Sequence, residues 1–190
     1  MEKVIGPEEL TTLTDEEKNL LTDVSRNSTS WTRLLSPEHL GPVNLYACYK
    51  AATVENGYQY TKVFNENIGA LGLPTKEYID WAEKGWKSTK VDEILKEKEP
   101  LFYYWHGKKY NKLDARRFIF IPLYTQVVMQ DDSALERLKR QYYKKDKKIV
   151  LYDDSGYDSD ALGMSYQDVI KSERPFSHAF ILAWLLKTTV

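Results

Sequence analysis

The sequence predicts an α+β fold: a single compact, mostly helical domain over residues 1–190 with a small β-sheet or hairpin. Three observations lead there. Helix caps followed by apolar residues at helical spacing recur along the chain, as in LTDEEKNLL and LPTKEYIDWAEKGW. Short β-branched and aromatic runs bounded by turn residues stand between them, as in LFYYWHGKKYNKL. With 190 residues and 42% apolar content the chain can bury one sizeable core, and no repeat, linker or low-complexity tract divides it.

In order along the chain, Thr14 caps a helix over about 15–25, with Glu17 three residues on completing a capping box, so residues 1–30 read as an N-terminal helical extension. Residues 26–44 are rich in Ser, Pro, Gly and Asn and read as a loop with a brief turn near Pro37 to Leu40. LYACYKAATV leads into TVENGYQYTK, residues 53–62, read as helical. Thr75 caps the next helix, whose Tyr78, Ile79, Trp81, Ala82 and Trp86 cover one side; VDEILKEKE continues or repeats it as a charged surface helix ending at Pro100. Residues 101–113 read as a hairpin turning at His106, Gly107 and Lys108. RRFIFIPLYTQVVM is β-branched and aromatic and reads as a strand interrupted by Pro122. SALERLKRQYYKK is an amphipathic helix with a basic C-terminal end, and KIVLYDDSGYDSDALGMS a short buried strand with an acidic loop after it. SYQDVIKSE follows, and PFSHAFILAWLLKT predicts a buried closing helix.

The 27 basic and 28 acidic residues nearly cancel. No global pull toward nucleic acid or anionic membrane results, so constitutive nucleic-acid binding is not expected, although a local basic patch stays open. The single cysteine, Cys48, excludes an intrachain disulfide framework and a cysteine-based zinc cluster and fits a reducing compartment. No apolar leader or membrane-length apolar run is present, so a cytoplasmic protein without a membrane partner is expected. Fourteen Tyr and five Trp leave aromatic side chains to line a pocket or interface.

On one helix, Glu55, Gln59 and Lys62 fall within roughly 60° of each other. A carboxylate, an amide and an amine at one place can bind hydroxyls, act as acid or base, or supply a nucleophilic or electrostatic amine; the same spacing also suits a solvated helix face. Gly57, inside the helix at a cost of about 1 kcal/mol relative to Ala, implies close approach of something. His106 and His178 are candidate acids or bases, the latter beside Ser177 at the start of an apolar helix. Arg116 and Arg117 can clamp a phosphate or stand solvated. Trp81, Trp86, Trp105 and Tyr104 can stack on a base or pack in the core. VLYDDSGYDSD superficially resembles the aspartate loop of HAD phosphatases, but Ser155 stands where that loop has its second acid. The same acids could bind Mg²⁺ or Ca²⁺ or form an acidic surface turn; EF-hand spacing is absent, the surface turn is the reading preferred, and no metal site is expected.

The run Thr53, Val54, Glu55, Asn56, Gly57, Tyr58, Gln59, Tyr60, Thr61, Lys62, followed by Val63 and Phe64, resembles the signature of the NADAR superfamily, the YbiA-like N-glycosidases. LLSPEHLGPV upstream resembles that family's lead-in, and together they cover about residues 31–64. The family's tryptophan-glycine and asparagine-glycine elements have no evident counterpart, so the resemblance is that of a divergent member. The resemblance implies hydrolysis of the bond between ribose C1 and a base nitrogen, in an ADP-ribosylated guanine or a related ribosylated nucleotide or riboflavin precursor, with no cofactor. It implies Glu55 and Lys62 as the catalytic pair, the carboxylate stabilising positive charge on the sugar and a neutral Lys62 trapping the opened aldehyde as a Schiff base. Gln59 would position the substrate; Tyr58, Trp81, Trp86, Arg116, Arg117 and His178 complete the substrate-binding candidates. The partner would be free or nucleic-acid-linked ADP-ribose or a ribosylated base. Two alternatives stand beside this: a non-catalytic nucleotide- or protein-binding module on the same fold, and an interaction module built on the aromatic hairpin 101–110.

Overall fold

Capping chemistry starts the first helix where the sequence puts it, but the helix ends at Leu20, short of the expected residue 25, because the chain turns into a strand there. In the computed structural model, which describes residues 1–130 and 134–188, the chain opens with strand β1 (Glu2–Ile5). Thr14 and Glu17 then form a reciprocal capping box that starts helix α1 (Asp15–Leu20), and β2 (Leu21–Asp23) follows without a break. Residues 1–30 are therefore not a helical extension. Their strand character depends on a partner far along the chain, which no local pattern announces.

Short strands β3 (Val43–Asn44) and β4 (Lys50–Ala51) precede helix α2 (Val54–Gln59) and strand β5 (Lys62–Val63). Thr75 caps α3 (Lys76–Lys87) through the Tyr78 N–H, and Asp92 caps a separate short helix, α4 (Glu93–Glu97). The aromatic hairpin is β6 (Phe102–Trp105) and β7 (Lys108–Tyr110), with φ of 49° at His106 and 77° at Gly107. Both central residues are left-handed, the twist a two-residue hairpin requires.

Helix α5 (Lys112–Ala115) runs through a wide turn over Arg116–Phe120 into α6 (Ile121–Gln130), so the strand expected at Arg116–Met129 is helical. Pro122 has no N–H to return to the preceding turn, and its ring crowds the carbonyl four residues back. The wide turn, in which the Ile121 N–H reaches the Arg116 carbonyl five residues back, makes room for it. Helix α7 (Ala134–Lys144), strand β8 (Ile149–Tyr152), helix α8 (Tyr166–Lys171) and helix α9 (His178–Thr188) complete the chain. Ser133, expected at the start of α7, lies outside the described residues. The fold is α+β with small sheets.

The chain divides into two compact units, residues 1–36 with 128–190, and residues 37–127. In the first, β8 is the centre of a parallel sheet ordered β1-β8-β2, with Glu2 opposite Ile149 and Asp23 opposite Tyr152. Ile149, Val150 and Leu151 are fully buried, as a central parallel strand with both faces covered requires. Ile5, Leu13, Leu20 and Val150 pack into one cluster, and α9 is apolar and buried on nearly every side. In the second unit β5, β6 and β7 form an antiparallel sheet that sets Lys62 opposite Tyr103. Tyr78, Tyr124, Leu40 and Ile119 are among its fully buried side chains.

Candidate functional site

Helix α2 is short because of what stands on both sides of it. At its start Thr53 is extended and its hydroxyl accepts the Asn56 N–H at 3.1 Å. The Val54 and Glu55 amides donate to the carbonyls of Leu40 and Pro37, at 2.8 and 2.9 Å. The loop carrying Glu38 is thereby stitched across the helix N-terminus. At its end the Thr61 hydroxyl donates to the Tyr58 carbonyl at 2.7 Å, and the chain turns into β5. Lys62 is therefore on a strand, not on the helix that presents Glu55 and Gln59. Only the acid and the amide share that helix, with Gln59 Nε2 donating to Glu55 Oε1 at 2.8 Å.

Lys62 is 4% exposed, and its Nζ donates to the carbonyls of Leu95, Lys96 and Lys98 at 2.7, 3.1 and 3.1 Å. Three acceptors match the three protons of an ammonium. They are carbonyls at the end of α4, where intrahelical donors run out. Burial pulls the pKa of Lys62 down to about 8, against the nearby carboxylates of Glu99 and Glu55.

Asn56, which the sequence did not single out, performs a parallel task. Fully buried, it donates from Nδ2 to the carbonyls of Ser88 at 2.6 Å and Lys90 at 3.2 Å. Asn56 and Lys62 together grip the 88–98 segment by five carbonyls. That segment supplies Lys96, whose ammonium pairs with Glu38 and whose charge acts on Glu55. Burial raises the Glu55 pKa above the ordinary carboxylate value, while Lys96 and the Gln59 hydrogen bond oppose the rise. Glu38 and Lys96 are thus members of the site that no helical spacing could reveal. Gln59 is 8% exposed, and its Oε1 meets no donor among the described residues. A buried acceptor left open beside a carboxyl suits a donor brought by a ligand.

Tyr58 and Tyr103 stack with ring centroids 5.3 Å apart and share a hydrogen bond; burial raises the pKa of both. The charge of Arg116, itself 4% exposed, acts on both phenols. Arg117, its neighbour, is exposed with its guanidinium 5.1 Å from the Phe118 ring. The two arginines therefore do not form a phosphate clamp, because adjacent helical positions point apart.

Trp81 packs on Tyr60 and Tyr78, at 4.8 and 5.7 Å between centroids. Trp86 is 2% exposed and sits against Tyr46 and Tyr49, at 6.1 and 5.3 Å, which leaves no face for a substrate base. Gly57 answers to packing: a Cβ there would meet Leu45, Ala51 and Leu123 side chains at 3.2 to 3.5 Å. His178 belongs to the first unit, where its Nε2 donates to the Val24 carbonyl at 2.9 Å and its Nδ1 lies 3.8 Å from Asp153. That environment gives it a structural task of its own. Among the described residues no group of three or more His, Cys, Asp or Glu is placed to hold a metal ion, and no helix is long and apolar enough to cross a membrane.

The chain matches no protein-family model, no curated protein and no solved structure.

Proposed function

We propose that the Glu55 site belongs to a divergent NADAR-type N-glycosidase that hydrolyses the bond between ribose C1 and a base nitrogen in an ADP-ribosylated or related ribosylated base. The observation that carries this reading is the half-buried Glu55 carboxyl, held by Gln59 and acted on by the opposing charges of Lys96 and Glu38. As the C1–N bond breaks, its electron pair leaves with the nitrogen and positive charge grows on the sugar. A carboxyl whose proton affinity is raised by burial can protonate the departing nitrogen; once ionised, it stabilises the sugar cation and takes a proton from the water that attacks C1. Gln59 Oε1 would receive a donor from the substrate.

Lys62 takes a different role in this proposal from that of a free amine. Its three carbonyl bonds favour the ammonium, so it acts by fixing the 88–98 segment and through its charge. A Schiff base would require it to leave all three carbonyls and lose a proton.

The engagement of Lys62 also favours a second reading, a non-catalytic module that binds the same ligands. Incubation with ADP-ribosylated guanosine, ADP-ribose and riboflavin precursors, followed by mass spectrometry, separates the two. Release of free base that Glu55→Gln abolishes is the expected result. Binding without any product establishes the module, and a borohydride-trapped adduct on Lys62 would restore the amine to a covalent role.

A further inference from the structure

The near-neutral charge of the whole chain conceals a concentration. Between residues 134 and 148 there are seven basic residues against two acidic ones, Glu136 and Asp146; the rest of the chain carries twenty basic against twenty-six acidic. Helix α7 sorts this segment by burial. Ala134, Leu135, Leu138 and Tyr142 are buried, while Arg137, Arg140 and Lys144 are exposed and lie within about 60° of one another on the opposite side. At the helical rise they form a row about 10 Å long.

Several neighbouring cations have partners: Lys139 pairs with Glu136 at 2.7 Å, Lys148 with Glu16 at 2.9 Å, and Arg137 stands 4.4 Å over the Trp31 ring. Arg140, Lys144 and Lys147 have no carboxylate within 4 Å among the described residues. Beside them Tyr143 is 45% exposed, a large ring the core does not use. At the end of α7 the chain takes left-handed conformations at Asp146 and Lys147, with φ of 51° and 57°. Neither is glycine, so this turn is held at some cost; it brings the Lys147 ammonium to 5.7 Å from the Tyr143 ring.

We infer that the solvent face of α7 and the turn after it bind single-stranded nucleic acid, with Arg140, Lys144 and Lys147 on backbone phosphates and Tyr143 stacked on a base. A row of three exposed cations, in a segment where basic residues outnumber acidic ones, suits a polyanion. The exposed ring selects an unpaired strand, whose base faces are accessible, over duplex or lipid headgroups. Strand binding of this kind needs no ribosylated base and no turnover, so it stands or falls separately from the glycosidase reading.

The test is fluorescence anisotropy of a labelled, unmodified single-stranded oligonucleotide at several salt concentrations, beside the matching duplex and phosphatidylserine-containing vesicles. Affinity for the strand should fall linearly on a log–log plot against salt, and R140A/K144A should make the slope shallower by about 1.4, two contacts at about 0.7 each. Tyr143→Ala should weaken strand binding at every salt concentration and leave the slope and any duplex binding unchanged. Arg140→Lys should keep the slope, which separates charge from loss of structure. A slope unaltered in the double variant, duplex binding as tight as strand binding, or binding to vesicles alone overturns the inference.

Discussion

Asn56 and Lys62, six positions apart in sequence, hold the same connecting segment by its carbonyls, Asn56 at Ser88 and Lys90 and Lys62 at Leu95, Lys96 and Lys98. One is an amide at the start of a helix and the other an ammonium on a strand. Their common product is the placement of Lys96 where it pairs with Glu38 and its charge acts on Glu55.

Asn56→Ala should therefore act on the site at a distance. Two hydrogen bonds from a buried amide are lost, at about 1–3 kcal/mol of stability. Amide exchange over residues 88–98 should accelerate more than exchange in β6. Unchanged exchange there would show that the segment is held by other means.

Lys62→Met tests the buried ammonium through pH. Burial lowers the folded pKa from 10.5 to about 8. Above pH 8 the unfolded chain binds the extra proton, so wild-type stability should rise relative to the variant between pH 8 and about 10.5, by up to about 3 kcal/mol. Below pH 8 the difference should be flat. Paired urea denaturations across that window measure it.

Glu55→Gln should separate chemistry from folding. The folded pKa of Glu55 is raised, so its protonated form is favoured by folding and wild-type stability falls as pH climbs above the ordinary value of 4.5 toward the raised one. An amide of the same shape has no such dependence and should be at least as stable as the acid at neutral pH. Release of base should nevertheless drop by about a hundredfold or more. A fold that collapses in this variant would assign Glu55 to structure.

Gly85→Ala should destabilise the second unit although alanine is the better helix former by about 1 kcal/mol. A Cβ at Gly85 would overlap the Tyr60 ring, which is itself confined by Trp81 4.8 Å away. Overpacking of this kind costs about 1–3 kcal/mol. The double variant G85A/Y60L should recover part of the loss in chemical denaturation.

The sequence is legible where structure is decided by neighbours. Thr14 with Glu17, Thr75 with Tyr78, and the His106–Gly107 turn are local devices, and each appears where the residues place it. The Glu55–Gln59 hydrogen bond is equally local, one helical turn apart. Lys62 is not, since the helix ends before it and its position depends on pairing with Tyr103. Glu38 and Lys96 reach the site through backbone bonds made by other residues, so no periodicity marks them. Residues 116–129 read as strand by composition, yet the run is long enough for helix, and the wide turn around Pro122 reconciles the two.

The parallel pairing of β1 with β8 sets an order of events during synthesis. Residues 37–127 form a continuous unit that the ribosome has delivered in full before any residue of β8 exists. Glu2 must wait for Ile149, so β1 cannot take its place in the sheet until the residues that follow the second unit have been made. Lys3, which in the finished protein bridges Glu17 and Asp158, keeps that waiting edge charged and so discourages pairing with a neighbouring nascent chain.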